Sequence, residues 1–338
     1  MITIDGSYGE GGGQIIRTSC ALSLITGKPF RAFNVRARRD KPGLQRQHLT
    51  AVTAAAEVGG ARVDGAGVGS REFTFVPGPV TPGDYTFSIG TAGSTTLVLQ
   101  TVLPPLMTAG GPSRLTLEGG THNVHAPPFE FLQKTFLPLV NRTGPRVEIT
   151  LGRYGFYPPG GGRIHVTVEP GASRAGFDLT GRGEIRATRA RALCVKLPPS
   201  IGERELGVIR SRLGWDDDRL RVETSDDAFS PGNVLTLEVE RDELTEVFTG
   251  VGERGVRAET IALRVADEVE QFLAAGVPVG EHLADQLLIP LALSGGGSYL
   301  TVEPSLHTTT NIEVIKKFLN VEITAEPVSE LAWKIEVR

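Results

Sequence analysis

The chain has 338 residues, 40% hydrophobic and 22% charged, with 35 basic side chains against 39 acidic ones. That is an ordinary globular composition, at a length that suits two domains or one large domain carrying an insertion. A net charge of −4 excludes a protein that coats long stretches of nucleic acid, which needs a broad basic surface, but allows one that grips a strand end with a few arginines.

The first residues, from Met1 to Gly6, read as a strand with no basic n-region, so no secretion signal is expected. The longest apolar stretch, 97–107, is broken by Gln100 and by Pro104-Pro105, so no membrane span is expected either. Cys20 and Cys194 stand far apart without a companion ligand at metal spacing. Neither a zinc site nor a disulfide framework is indicated, and a reducing, cytoplasmic setting is the expectation.

Three segments then read alike. The first runs Gly11-Gly12-Gly13-Gln14, a helix to Ile25, Gly27-Lys28-Pro29 and a strand over 30–35. The second runs Gly90-Thr91-Ala92-Gly93, a helix to Thr108, Gly110-Gly111-Pro112 and a strand over 114–117. The third begins at Gly280, with a helix over 281–293, Gly295-Gly296-Gly297 and a strand over 299–302. Each is followed by a polar loop, a second helix (44–58, 128–140, 311–319) and another strand (61–63, 146–151, 321–325). The repetition points to related subdomains around a pseudo-threefold axis in an α+β fold.

Gly13 to Gly93 spans 80 positions and Gly93 to Gly280 spans 187, so about one hundred residues, a small domain's worth, are extra in the second interval. Within it, strands over 185–196, 220–223 and 234–240 and helices over 201–213 and 257–274 compose a small α+β module. The expected division is therefore 1–183 with 277–338 as the large unit and 184–276 as the insertion. Asp216-Asp217-Asp218 and Ser225-Asp226-Asp227 fall in its loops and read as solvated turns rather than an ion site.

Candidate chemistry gathers at few places. His307, in Ser305-Leu306-His307-Thr308-Thr309-Thr310-Asn311, lies between the third strand and the helix over 311–319, where backbone amides and hydroxyls can hold an anion. A neutral imidazole there fits a covalent carrier of a phosphate group, or simply a helix cap. Gly9-Glu10-Gly11-Gly12-Gly13-Gln14 lets backbone approach a phosphate closely, although Glu10 would repel that ligand unless a divalent cation lay between. As an alternative, Glu10 is a carboxylate favoured by the helix dipole. Arg36, Arg38, Arg39, Lys41 and Arg46 lie within eleven positions with Asp40 as the one acidic counterweight, which makes a positive loop. Gln100, Asp285 and Gln286 interrupt otherwise apolar helices and need polar partners, from each other or from a ligand.

Taken with Arg39-Asp40-Lys41-Pro42-Gly43-Leu44-Gln45-Arg46-Gln47-His48, Gly155-Phe156-Tyr157-Pro158-Pro159-Gly160-Gly161-Gly162 and Leu283-Ala284-Asp285-Gln286, these motifs resemble, in order along nearly the whole chain, the RNA 3′-terminal phosphate cyclase family. The resemblance implies three repeats like the C-terminal domain of translation initiation factor 3 and a thioredoxin-like insert. It implies that His307 takes AMP from ATP on Nε2, with Gln100, Pro127, His282, Leu283, Ala284, Asp285 and Gln286 at ATP-binding positions. It further implies Mg2+ or Mn2+ at Glu10, and Arg17, Arg36, Arg39, Gln47 and His48 around the phosphates of ATP and the RNA 3′-phosphate end. The family often carries tyrosine where this chain has His282, which bears on adenine stacking. Two alternatives stand beside it: a non-catalytic ribosome-assembly protein of the same superfamily, which lacks the histidine, and an enolpyruvyl transferase.

Overall fold

The computed structural model describes residues 1–171 and 174–338 and has a mixed α+β fold built on four four-stranded sheets. The first group of elements is β1 (Ile2–Asp5), α1 (Gly13–Thr26), β2 (Phe30–Phe33), α2 (Arg46–Val58), β3 (Arg62–Asp64) and β4 (Phe73–Val76). In its sheet β1 pairs parallel with β2, and β4 lies antiparallel between β2 and β3. A second group follows: β5 (Asp84–Ser88), α3 (Thr95–Met107), β6 (Ser113–Gly119), α4 (Phe129–Phe131), a π-helical turn Leu132–Phe136, α5 (Leu137–Arg142), β7 (Arg146–Arg153) and β8 (Gly162–Glu169). Its sheet has the same order, β5-β6-β8-β7, with the same parallel and antiparallel neighbours.

After β9 (Phe177–Leu179) the chain enters β10 (Ile185–Val195), α6 (Ser200–Leu213), β11 (Leu220–Ser225), β12 (Gly232–Arg241), β13 (Thr245–Val251) and α7 (Ala258–Ala275). These form their own sheet, β11-β10-β12-β13. It then returns through α8 (Glu281–Leu293), β14 (Gly297–Thr301), α9 (Leu306–Phe318), β15 (Ile323–Pro327) and β16 (Trp333–Val337). β9 pairs parallel with β14, and β16 lies antiparallel between β14 and β15, the pairing of the first two sheets once more.

Three details depart from the sequence-based expectation. Each of these three sheets has a fourth strand slotted between the second and third; β8, with Ile164, Val166 and Val168 all buried in strict alternation, carries the plainest strand signal of the three. The helix expected over 128–140 is broken, because Pro138 has no N–H for the carbonyl four residues back. The ladder there steps to a bond from Leu137 N–H to the Leu132 carbonyl. Finally, α9 starts at Leu306 rather than at Asn311, since the Ser305 hydroxyl caps it by accepting from Thr308 N–H. His307 therefore stands inside the first turn of a helix.

One apolar cluster runs through all three similar sheets and takes in Leu244 and Val247 from the segment beyond β12. A second, built on Leu206, Ile209, Leu237, Val265 and Phe272, fills the space between α6, α7 and the β10–β13 sheet. Phe30 on β2 joins its sheet to α9: its ring stacks on Phe75 at 5.6 Å and meets Phe73 and Phe318 edge-on at 5.7 and 6.0 Å. All four rings are essentially inaccessible. Truncation of Phe30 to Ala is expected to cost about 3–5 kcal/mol in equilibrium denaturation. A loss below about 1 kcal/mol would mean that the cluster does not hold α9 to the first sheet.

Candidate active site

The first turns of α1, α3, α8 and α9 bring Gln14, Leu97, His282 and His307 to one cleft, and that of α2 brings His48 against Gly13 at its edge. Their free amides and dipoles favour an anion. His307 projects from the first turn of α9 with about half of its side chain exposed. Its Nδ1 lies 3.0 Å from Gln14 Oε1, and Gln14 Nε2 donates to Asp285 Oδ2 at 2.5 Å. The direction of this relay fixes the imidazole. An ionised Asp285 only accepts, so Gln14 turns its NH2 towards it and its carbonyl towards His307. His307 must then carry its proton on Nδ1 and leave Nε2 bare.

The relay is braced from behind. Asn311 Nδ2 donates to the Asp285 carbonyl at 3.0 Å, and Thr18 Oγ1 donates to Asn311 Oδ1 at 2.8 Å. Desolvation pushes the Asp285 carboxyl up to about 7, against the pull of His282, Arg17 and the Gln14 bond. For His307, desolvation and the charges of Arg17, Arg39 and His282 all disfavour the imidazolium and lower its pKa, with Glu281 opposing. Arg17 is itself lowered to about 10 by burial and stays cationic at neutral pH.

Glu10 meets this ring from the other side. Its Oε1 lies 3.9 Å from His307 Nε2 and pairs with the Arg39 guanidinium, while Oε2 is buried with no partner. Glu10 N–H donates to Thr310 Oγ1 at 3.0 Å, which pins the turn to α9. A Cβ at Gly12 would lie 2.3 Å from the Glu10 carboxylate oxygens, so a side chain there would displace that carboxylate. At Gly13 a Cβ would lie 2.5 Å from His48 Nε2. The His48 ring accepts from Gln45 N–H at Nδ1 (3.1 Å), so its Nε2–H points at the glycine turn. Burial, with Arg36, Arg17 and Arg39 nearby, lowers its pKa to about 3 and keeps it neutral.

A cleft of about 320 Å³ opens beside the relay, and it is lined by Arg17, Gln100, Pro127, His282, Asp285, Gln286 and His307 among others. Gln100 Nε2 donates to Gln286 Oε1 at 2.6 Å, and Gln286 Nε2 to the His282 carbonyl at 3.1 Å, so these polar side chains satisfy one another. Leu283 and Ala284 do not line the cleft. Both are buried in the core, and Ala284 gives its carbonyl to the Tyr299 hydroxyl. Arg36 folds back onto the carbonyls of Lys41 (2.6 Å) and Gly43 (3.0 Å) and so shapes the basic loop. Gln47 accepts from Ser94 N–H at 2.7 Å at the start of α3. Sequence reasoning missed Gln14 as the partner of His307, although it ended the glycine-rich run, and missed Val247, Phe248 and Thr249 of β13, which form one wall of the cleft.

Residues 8–325 match the family described as RNA 3′-terminal phosphate cyclase. Relatives named RNA 3′-terminal phosphate cyclase include one from Koribacter versatilis, 51% identical over 96% of this chain and 92% of its own. One from Ectopseudomonas mendocina is 49% identical over 100% and 98%, and one from Salmonella agona 46% identical over 98% and 96%. A solved enolpyruvyl transferase, NikO from Streptomyces tendae, aligns over 99% of this chain and 48% of its own at a TM-score of 0.38 and 10% identity, too distant to bear on fold or chemistry. The chain belongs to the RNA 3′-terminal phosphate cyclase family, a family of enzymes.

The relay makes an expectation that needs no substrate. At pH 8, with Asp285 ionised, nitrogen NMR of His307 should show a neutral ring with a bare Nε2, titrating below the ordinary value of about 6.5. As pH falls through about 7, Asp285 takes up a proton, is no longer bound to accept, and the tautomer preference should weaken. Gln14→Leu should give the mixed tautomers at pH 8 as well. A midpoint at or above the ordinary value, or tautomers unaffected by Gln14→Leu, would contradict the relay.

Proposed function

We propose that this enzyme converts an RNA 3′-phosphate into a 2′,3′-cyclic phosphate at the expense of ATP, by way of AMP bound covalently to His307. The observation that carries this reading is the 3.0 Å contact of His307 Nδ1 with Gln14 Oε1, which turns Nε2 to the mouth of a cleft among helix N-termini and arginines. In the first step Nε2 attacks the α-phosphorus of ATP, the bond to the bridging oxygen breaks, and pyrophosphate leaves. Arg17 and Arg39, both close enough to depress the His307 pKa, are placed to neutralise the charge that develops. An oxygen of the RNA 3′-phosphate then takes AMP from His307, forming the anhydride RNA(3′)pp(5′)A. Last, the vicinal 2′-oxygen attacks the 3′-phosphorus and expels AMP. That closure is intramolecular, so proximity supplies much of its rate.

A divalent ion, Mg2+ or Mn2+, fits this scheme at Glu10, whose Oε2 is buried without a partner. Among the described residues no three His, Cys, Asp or Glu side chains gather into a cage. Glu10 would therefore share the ion with phosphate oxygens and water, the usual manner for Mg2+. Bound there, the ion would act as a Lewis acid on the phosphates. His282 is proposed to stack on adenine opposite Pro127, and Arg36, Arg39, Gln47 and His48 to surround the RNA end.

The same reading treats the three similarly paired sheets as repeats around a pseudo-threefold axis, with 184–276 as a thioredoxin-like insert in a large unit of 1–183 and 277–338. Their common strand order and the separate β11-β10-β12-β13 sheet support it. A cytoplasmic setting belongs to the proposal as well; among the described residues no helix is long and apolar enough to cross a membrane.

Incubation with α-³²P-ATP and Mg2+ should leave an acid-labile, alkali-stable AMP on the protein. His307→Ala should abolish it, and labelling that survives this change would remove His307 from the chemistry. Glu10→Ala should slow labelling and raise the Mg2+ needed for half-maximal rate, whereas an unaltered metal titration would leave Glu10 as a turn residue only.

The order of the later steps has its own test. An RNA with a 3′-phosphate on a 2′-deoxy terminal nucleotide offers an acceptor for AMP but no oxygen to close the ring. The adenylated strand should accumulate on a gel, and a strand ending in a 3′-hydroxyl should not be converted. Cyclic product from the 2′-deoxy strand, or no adenylated strand from it, would mean the proposed order is wrong.

A further inference from the structure

Away from the reacting groups, the loop between β6 and α4 carries a second buried histidine with a complete set of partners. His122 Nε2 lies 2.8 Å from Glu130 Oε2, and its Nδ1 lies 2.8 Å from Thr121 Oγ1. Thr121 Oγ1 in turn accepts from Gly155 N–H at 2.9 Å. The chain of donors is consistent from end to end: Gly155 N–H to Thr121, the Thr121 hydroxyl to Nδ1, Nε2–H to the Glu130 carboxylate. The other carboxylate oxygen, Oε1, takes the guanidinium of Arg191 on β10. The imidazole packs beside Phe156 and Tyr154, with ring centroids at 5.6 and 5.8 Å. The His122 side chain has no exposure at all and that of Glu130 has 7%, so neither touches a substrate.

What this network encloses gives it a purpose. His122 and Glu130 are eight positions apart, and of the seven residues between them the first six, 123–128, line the cleft. Within that span the loop has few bonds of its own: Asn123 Nδ2 to the Ala92 carbonyl, Ala126 N–H to the Asn123 carbonyl, the Pro127 carbonyl accepting from Thr96 Oγ1 and the Pro128 carbonyl accepting from Leu132 N–H. Arg191 ties the closure to the β10–β13 sheet, and β13 of that sheet forms another wall of the same cleft. We propose that His122, Glu130 and Arg191 are positioning residues: they buckle the 123–128 loop shut and fix its distance from β13, and so set the width of the cleft that holds the nucleotide. The identity of the ligand rests on the function proposed above; the buckle itself does not.

The test uses the full chain and two readouts. Hydrogen–deuterium exchange without ligand follows the amides of 123–126, with α9 as an internal control. Calorimetry and steady-state kinetics give the ATP Kd and separate KM from kcat. Arg191→Met should speed exchange in the loop but not in α9 and weaken ATP roughly three- to thirtyfold, while kcat stays within about twofold. Arg191→Lys should fall between it and the wild type. Glu130→Gln/Arg191→Met leaves no lone buried charge, and it carries the same expectations should the single variant fail to fold. Lower thermal stability with loop exchange and ATP affinity both unchanged would overturn the proposal, because the network would then be a structural pin only. If wild type shows no ATP binding, the nucleotide reading fails, and the exchange experiment still decides the buckle.

Discussion

The bond between His307 Nδ1 and Gln14 Oε1 joins the first helix of the chain to the last long one, across 293 positions of sequence. Much of the surrounding architecture serves it. The glycine turn before α1 is pinned to α9 through Thr310, Thr18 on α1 holds Asn311 on α9, and Asn311 holds the α8 backbone at Asp285. α1, α8 and α9 are thus locked by polar side chains where an apolar interface would leave the imidazole free to turn. A histidine with an unassigned tautomer is a poor nucleophile in the fraction that carries its proton on Nε2. One whose Nδ1 proton is claimed by a fixed acceptor presents Nε2 for as long as Asp285 stays ionised.

Electrostatics serves the same end. Burial disfavours the charged form of His48 and of His307, and Arg36, Arg17 and Arg39 around the first and Arg17 and Arg39 beside the second add to it, so both rings remain neutral. The charges that keep the rings neutral are the ones a triphosphate needs, and they are concentrated at one mouth of a protein whose net charge is −4. Glu10 is the exception, a shielded carboxylate with one oxygen spent on Arg39 and the other unpaired. Leaving a buried acceptor unpaired is costly in an isolated protein. A ligand-borne or metal-borne positive charge is the natural compensation.

Much of this could be read from the sequence, where local patterns carry it. The glycine-rich turns and the helices that follow them recur at 11–13, 90–93 and 280, and the extra spacing before Gly280 is the stretch in which β10 to α7 build a sheet of their own. His307, Gln100, Asp285 and Gln286 stood out as polar groups in apolar or hydroxyl-rich surroundings. Other features depend on contacts that no local pattern encodes. That Gln14 rather than a nearer side chain supports His307 follows from the packing of α1 on α9. That Leu283 and Ala284 face the core while their neighbours face the cleft follows from helical phase: only one side of α8 is open. The wall provided by β13, and the pin from Arg191 to Glu130, depend on how the β10–β13 sheet docks against the loop before α4. The break at Pro138 was legible in principle, and it is the missing N–H that shifts the ladder.

The central claim is that His307, prepared by Gln14, accepts the nucleotidyl group before any RNA takes part. Exchange of ³²P-pyrophosphate into ATP, measured with Mg2+ and with no RNA present, tests this most directly. A reversible transfer to protein requires the label to enter ATP at a rate that falls with Gln14→Leu, by about ten- to a hundredfold, and vanishes with His307→Ala. Exchange that appears only when a 3′-phosphorylated RNA is added would contradict the account, because the nucleotide would then pass to the RNA without stopping on the histidine.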